Sequence, residues 1–267
     1  MRSILAALVA GALAQVPPPP SFEVASVKPN PAVDAAETVM FEPGGGIRMT
    51  GYRLINLILG AYGMRAVQMR DQIIGGPSWI YTDRFDIVAK AEGRLTFDPQ
   101  GRQPAEALLM LKGLLEDRFK VRVHTEAKAM RAFALSVARR DGRLGPRLTE
   151  STMECPHYGA GEPSPAPVET DRWCGFRHFL GRVEGRFVTM SEIASYFAAT
   201  AAIRRPIDDR TRLSGRYDFS VEYPEGTDVD AGSFFTAFRE QLGLKFDNVR
   251  AQVPVLVIDH AEKPTPD

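Results

Sequence analysis

The sequence contains little cysteine, histidine or tryptophan. Its 267 residues include only two cysteines, two tryptophans and four histidines. Basic and acidic residues balance at 33 each, so the formal net charge is zero and no overall field attracts nucleic acid or an anionic membrane. We therefore expect no nucleic-acid partner.

The common catalytic signatures are also missing. The chain has no G-x-S-x-G, no H-E-x-x-H and no S-x-x-K pattern. Three consecutive glycines, Gly44–Gly46, are not followed by the Lys-Ser/Thr pair of a phosphate-binding loop, so they predict a turn. We therefore predict no catalytic residue, no metal ligand set and no cofactor, and we favour a protein that is not an enzyme.

The adjacent carboxylates Asp208 and Asp209 support the main alternative, a hydrolase with a non-standard active site. Acid/base catalysis needs two carboxyl groups whose pKa values are separated by their surroundings. Arg210 and Arg212 follow these aspartates in a loop pattern, which is more typical of a solvated turn with local ion pairs. The histidines, which share no helical face, are His124, His157, His178 and His260.

The first 14 residues predict an export signal. Arg2 supplies a short basic start, and Ile4–Leu13 is an apolar run too short to cross a bilayer. A small-x-small cleavage pattern ends at Ala14, and the proline-rich linker at 15–21 would end any helix there. Because no later segment reaches transmembrane length without a charge, we predict a secreted or periplasmic protein, cleaved near Ala14 and without a transmembrane anchor.

The two cysteines, Cys155 and Cys174, most simply form a disulfide in an oxidising compartment. In the chain-entropy description, closing a loop of this size contributes about 3 kcal/mol. A soft-metal site is the competing interpretation, because His157 and His178 follow the cysteines at C-x-H and C-x-x-x-H spacing. Zinc sites usually show tighter and more regular pairs, so the disulfide is favoured.

A repeated Arg-aromatic-Asp pattern predicts an internal duplication. Arg84-Phe85-Asp86 recurs as Arg216-Tyr217-Asp218, 132 positions later, and Lys120 recurs as Lys245, 125 positions later. In each copy the aromatic side chain is expected to face the core, because side chains alternate along a strand. The arginine and aspartate are expected to face outward and to form an ion pair on the sheet.

The order of elements around this pattern is the same in both copies. Apolar stripes at helical spacing predict the helices, and Thr189 with Glu192 forms a capping-box pattern at the start of one of them. The strands that close the two copies are predicted at 120–126, 132–138, 245–248 and 253–259. The fold class is therefore α+β, with two similar β-α-β-α-β-β units in tandem, mixed or antiparallel sheets, and helices packed on one face.

The predicted boundaries are a first unit at 22–141, an irregular cysteine-containing insert at 142–183 and a second unit at 184–267. Trp79 and Trp173 lie in stretches rich in Gly, Pro or Cys. An indole on a loop can stack against a sugar or an apolar peptide side chain. We therefore take both tryptophans as candidate ligand-binding residues, with packing over the edge of the core as the alternative.

Six stretches that cover nearly the whole mature chain resemble a known family; they read FEVASVKPN (22–30), QIIGGPSW (72–79), DRFDIVAK (83–90), LLEDRFK (114–120), LSGRYDF (213–219) and VLVIDHAEKP (255–264). The family is a soil-associated, Solibacter-type group of secreted proteins of unknown function, expanded in acidobacteria. It has no established activity, so the resemblance implies no catalytic residue. Similar domains are attached to membrane-bound sensor metallopeptidases of the β-lactam-response type, which implies a ligand-sensing or protein-contacting role. The strand-helix-strand unit is also similar, by fold alone, to small periplasmic domains of secretins and TonB-dependent receptors.

These patterns predict an exported binding or interaction module whose partner is a small-molecule, glycan or protein ligand in the cell envelope. Two alternatives stay open. One is an extracytoplasmic hydrolase with a non-standard site, and the other is a cell-envelope assembly component that binds protein through an exposed strand edge.

Overall fold

The structure is a computed structural model that describes residues 20–32, 34–42, 44–64, 72–92, 95, 105–155, 173–200, 203–224 and 231–265. The predicted export signal, most of the linker, and His157 lie outside these residues. No helix within the described ranges is long and apolar enough to span a membrane. The predicted α+β class is confirmed, since helices and strands are both present and the strands form three sheets.

In chain order the elements are β1 (Phe22–Asn30), β2 (Thr38–Glu42), β3 (Gly46–Arg53), α1 (Leu54–Ala61), β4 (Ile73–Gly75), β5 (Arg84–Ala91), α2 (Ala105–Phe119), β6 (Arg122–Val137), β7 (Leu148–Glu150), β8 (Gly175–Phe179), β9 (Arg182–Val188), α3 (Met190–Ala198), β10 (Ile207–Asp209), β11 (Tyr217–Glu222), α4 (Ala231–Ala237) and β12 (Leu244–His260). A 3-10 turn, Ser78–Tyr81, precedes β5, and a π-helical segment, Phe238–Leu242, continues α4.

The first core lies between an antiparallel sheet and two helices. The sheet has the order β1-β5-β3-β2. Its inward side chains include Phe85 and Ile87, which alternate with exposed or half-buried neighbours as predicted for β5. The apolar stripe of α1, with Leu57 and Ile58, packs into the same cluster together with the apolar face of α2. The predicted helical stripes are therefore confirmed here.

The second core repeats this arrangement. Its sheet has the order β7-β11-β9-β8 and is also antiparallel. Tyr217 and Phe219 point inward from β11 against α3, α4 and the π-helical segment. The predicted capping box is confirmed, because the Thr189 hydroxyl accepts a bond from the Glu192 N–H and the Glu192 carboxylate accepts one from the Thr189 N–H.

Two long strands connect the cores. In the central sheet, of order β10-β6-β12-β4, β6 and β12 pair antiparallel along almost their whole length. Val123 and Ile258 pair beside the first core, whereas Val137 and Leu244 pair beside the second. The prediction of two short closing strands in each copy is therefore wrong: each pair is one continuous strand.

The stretch 142–183, predicted to be an irregular insert, contributes two edge strands to the second sheet. β7 pairs with β11, and β8 pairs with β9. These strands are only three and five residues long, so they are too short to show a clear alternation in the sequence.

The short strands β4 and β10 occupy matching places in the central sheet. Each runs parallel to the long strand beside it: Gly75 pairs with Ile258, and Ile207 pairs with Phe133. Ile207 lies 132 positions after Gly75, and Ile258 lies 125 positions after Phe133, which are the offsets of the repeated sequence pattern. The tandem duplication itself stays a prediction, and these equal offsets are the ones that a duplication would produce.

The first Arg-aromatic-Asp pattern binds the backbone of a neighbouring strand. Arg84 Nη1 donates to the Gly51 carbonyl at 2.7 Å, and the Gly51 N–H donates to Asp86 Oδ1 at 2.8 Å. Gly51 has a φ of 68° and lies where the pairing of β3 with β5 is irregular. Arg84 and Asp86 therefore bind the carbonyl and the N–H of Gly51. The predicted ion pair between Arg84 and Asp86 on the face of the sheet is replaced by these two bonds to the backbone.

The second copy makes the same contact around a residue that is not glycine. Arg216 Nη1 donates to the Phe187 carbonyl at 3.1 Å, and the Phe187 N–H donates to Asp218 Oδ1 at 2.8 Å. Phe187 has a φ of 56°, a conformation that costs an ordinary residue about 1–2 kcal/mol. The bonds to Arg216 and Asp218 offset that cost, and Arg216 also pairs with Glu192 at 3.2 Å.

We expect Asp218→Ala to lower the free energy of unfolding by about 1–3 kcal/mol, because the half-buried Phe187 N–H loses a charged acceptor. Chemical denaturation followed by circular dichroism would measure the change. Asp247→Ala is the matched control, since that carboxylate is exposed and makes a local pair with Lys245, and its effect should stay within about 0.5 kcal/mol. Equal effects of the two variants would contradict the role given to Asp218.

Candidate recognition surface

The outer face of the β8–β9 hairpin brings guanidinium and aromatic groups together. Because side chains alternate across a strand, Arg177 and Phe179 share one face of β8. The register of the hairpin adds Arg182, Glu184 and Arg186 of β9 to that face, with Glu184 opposite Arg177. Phe176 points the other way and packs against the second core. We call this outer face, together with Trp173, the hairpin face.

Trp173 contacts two arginines at the end of the hairpin face that is opposite to the turn. The guanidinium carbon of Arg177 lies 4.3 Å from the centroid of the indole, and that of Arg186 lies 5.1 Å from it. Both distances are in the range of cation–π contacts. The candidate Trp173 is therefore joined by two arginines that were not predicted as site residues. No sequence pattern indicated them, because Arg177 and Arg186 lie nine positions apart and the pairing of β8 with β9 brings them to one face.

The tip of the hairpin exposes apolar surface. Phe179 is 40% exposed and Leu180, in the turn, is 92% exposed. The Arg182 guanidinium lies 4.8 Å from the centroid of the Phe179 ring and also pairs with Glu184 at 3.3 Å. An arginine stacked on a ring can still donate hydrogen bonds in its own plane. The tip thus combines apolar contact area with oriented positive charge.

A disulfide fixes the chain at the start of β8. Cys155 and Cys174 are bonded, with their Cα atoms 6.1 Å apart, and Cys174 directly follows Trp173. This confirms the predicted disulfide over the metal alternative, because neither sulfur is a thiolate ligand. Within the described ranges no group of three or more His, Cys, Asp or Glu residues could hold a metal ion.

Trp79 lies at a different place, on the first core. Its ring meets Phe85 edge-on at 6.3 Å between centroids, and the Lys263 ammonium lies 5.8 Å from its centroid. The indole is half-buried against the core cluster. This geometry is the one expected of a tryptophan that packs over the edge of the core. The ligand-binding role of Trp79 stays a prediction. The two tryptophans contact different sheets.

Asp208 and Asp209 form part of β10 and bind locally. Asp208 Oδ2 accepts a bond from Arg210 Nε at 2.8 Å. Asp209 Oδ1 accepts bonds from the N–H and the hydroxyl of Thr211, at 3.0 and 2.7 Å. The predicted loop is therefore a short strand, which forms because β6 supplies its hydrogen-bonding partner. The predicted local ion pair is present at Asp208.

His124 lies between two carboxylates on the solvent side of the central sheet. Its Nδ1 atom is 2.8 Å from Asp259 Oδ2, and its Nε2 atom is 3.1 Å from Glu126 Oε1. The hydrogen bond with Asp259, followed by that with Glu126, raises the pKa of His124 above its ordinary value of 6.5. The arrangement favours an imidazolium ion that donates to both carboxylates.

An open cavity of about 710 Å³ lies near the end of this sheet, lined in part by Tyr62, Glu116, Lys120 and His260. Burial, and then the negative charge of Glu116, raises the pKa of Tyr62, so its hydroxyl stays protonated at neutral pH. His260 Nε2 lies 2.7 Å from Glu262 Oε1. Charges of both signs line this cavity, whereas cations predominate on the hairpin face.

We expect reduction of the Cys155–Cys174 bond to lower the free energy of unfolding by about 3 kcal/mol, because the closed loop restricts the unfolded chain. Intact-mass analysis should show a gain of two hydrogens on reduction, and denaturation with and without reductant gives the energy. The Cys155→Ser/Cys174→Ser variant should match the reduced protein. Free thiols in the purified protein, with a metal ion near one per chain, would contradict the bond.

We expect NMR titration to give a His124 pKa above 6.5, and Asp259→Asn to lower it more than Glu126→Gln does. Because the folded-state pKa is raised, protonation stabilises the fold. This stabilisation is fully present below the unfolded pKa of about 6.5 and is lost as the pH rises through the folded-state pKa. A His124 pKa that neither substitution changes would contradict the proposed hydrogen bonds.

Comparison with known proteins identifies a family and no characterised relative. No curated protein and no solved structure matches the chain. The family described as "Protein of unknown function (DUF3738)" matches residues 55–261. This span begins in α1 and ends just after β12, so it includes both helical layers, the central sheet and the hairpin face. The chain therefore belongs to the DUF3738 family of proteins of unknown function.

Proposed function

We propose that this chain is an exported, non-enzymatic binding protein of the cell envelope, and that the hairpin face binds acidic glycans. The observation that carries the proposal is the contact of one indole with two guanidinium groups, at 4.3 and 5.1 Å. The disulfide beside that indole supports an oxidising compartment outside the cytoplasm. Periplasmic and fully extracellular locations fit this chemistry equally well.

The chemistry of the hairpin face suits a sugar acid. Guanidinium groups bind carboxylates through two parallel hydrogen bonds, and stacking on a ring orients them for this. An exposed aromatic ring such as Phe179 offers a surface for the apolar face of a sugar. Arg177, Arg182 and Arg186 outnumber the one carboxylate of this face, Glu184, so the face carries an excess of positive charge for an extended polyanion.

The backbone that carries the hairpin face is also fixed in the absence of a ligand. β8 pairs with β9 over its whole length, and the disulfide fixes the residue before it. On the inner face, the Phe176 ring stacks on Tyr196 at 4.2 Å. Side chains on such a supported strand lose little freedom on binding, which favours affinity. The association with soil bacteria and the sensing role implied by the resemblance stay predictions.

Tryptophan fluorescence tests the proposal directly, because Trp79→Phe leaves Trp173 as the sole tryptophan. We expect oligogalacturonate to change the emission of this variant in a saturable way. Adding Arg177→Ala and Arg186→Ala should weaken binding about tenfold or more, as expected when charge-assisted contacts are lost. Arg210→Ala is the matched control, since that exposed arginine pairs with Asp208 away from the hairpin face.

Two outcomes would count against this function. Equal binding of a neutral cello-oligosaccharide would contradict recognition of the acid groups. Turnover of any substrate by the purified protein, abolished by Asp208→Asn, would replace the binding function with the hydrolase alternative.

A further inference from the structure

We propose that two copies of this chain associate through the outer edge of β6, so that their central sheets become one continuous sheet. This association is independent of the hairpin face. Three features support it: the register of the central sheet, the polar backbone groups along β6 and the charge pattern of that strand.

The outer edge of β6 is only partly occupied. β12 pairs with β6 on one side from Arg122 to Val137, whereas β10 pairs with it on the other side only at Phe133–Leu135. Among the described residues, no strand pairs with the outer edge over 122–132. The residues 124–129 are all exposed to solvent. This stretch is therefore an open edge of regular β-strand.

The backbone groups that face this edge can be identified. The Phe133 N–H donates to the Pro206 carbonyl at 2.9 Å, and the Leu135 carbonyl accepts from the Arg210 N–H at 2.8 Å, so odd-numbered residues face outward. The register between β6 and β12 has no irregularity from Val123 onward. Alternation therefore directs the N–H and carbonyl groups of Thr125, Ala127 and Ala129 to the open edge.

The sequence along the open edge is complementary to itself. In an antiparallel pair centred on Ala127, each Ala127 lies opposite its copy, and Thr125 lies opposite Ala129. These are hydrogen-bonded positions. Glu126 of each chain then lies opposite Lys128 of the other chain at the non-hydrogen-bonded positions, where side chains are closest and opposite charges stabilise the pair. Alanine at 127 and 129 adds no bulk at the centre.

The same register fits the space that β10 leaves. With Ala127 at the centre, Arg122 of the second copy lies opposite Ala132, and the next residue, Phe133, is the first one paired with β10. The second strand would thus fill the open edge and end where β10 begins. The Glu126/Lys128 charge pattern and the open stretch 122–132 are both centred on Ala127. The position of one does not determine the position of the other. This coincidence favours a second copy over an unrelated peptide strand.

Charge reversal of the full mature chain tests the pairing. Sedimentation equilibrium should show a dimer for the unaltered protein. Lys128→Glu and Glu126→Lys should each weaken dimerisation about tenfold, because both interchain pairs become repulsive. The Glu126→Lys/Lys128→Glu double variant should restore it, since the opposite charges again face each other. Circular dichroism would confirm that each variant is folded.

Cross-linking tests the register. In an Ala127→Cys variant, the two Cα atoms at this position would lie about 5.5 Å apart across the interface, within disulfide range. Ala129→Cys is the matched control, because in this register its two copies would lie about 14 Å apart. We expect a covalent dimer from the first variant and almost none from the second.

Three results would overturn the proposal. A monomer at every concentration would show that the charges on β6 prevent pairing of this edge, as charged side chains do on many edge strands. Equal cross-linking by both cysteine variants would exclude this register. A dimer that the single reversals do not weaken, or that the double reversal does not restore, would place the interface elsewhere.

Discussion

The pairing of β6 with β12 is the contact on which the rest of the fold depends. The ladder joins Val137 to Leu244 at one end and Ile258 to Val123 at the other, so it contributes apolar side chains to both cores. Each outer sheet and its helices cover one end of this ladder. β4 and β10 then add to it in parallel and complete the central sheet. A change that disrupts this ladder would therefore remove apolar side chains from both cores.

The outer sheets have a second constraint, where a strand leaves the sheet to enter a helix. At Gly51 and at Phe187 the backbone turns left-handed shortly before α1 and α3, and an arginine and an aspartate bind the carbonyl and N–H groups of that residue. These bonds fix the direction in which each helix starts. On the second sheet the same strand, β9, carries Arg182 and Arg186 on its outer face. The hairpin face thus rests on a strand whose far end is anchored.

Local patterns were readable from the sequence, and contacts between distant residues were not. The stripe of α1, the capping box at Thr189 and the Cys155–Cys174 bond each depend on one spacing or one residue pair, and all three are confirmed. The continuity of β6 was missed because residues 125–129 lack apolar alternation, and only pairing with β12 keeps them extended. Trp173 was selected as a candidate, but its contacts with Arg177 and Arg186 depend on the hairpin register.

Because β6 and β12 contribute to both cores, the order in which the chain can fold is restricted. Leu256 and Ile258 pack with residues as early as Val27, so the first core lacks part of its interior until β12 is available. Contacts of such long sequence separation form slowly. Until β12 pairs with β6, the apolar side chains of the first core and the edges of its strands stay exposed, so the incomplete chain needs protection from aggregation.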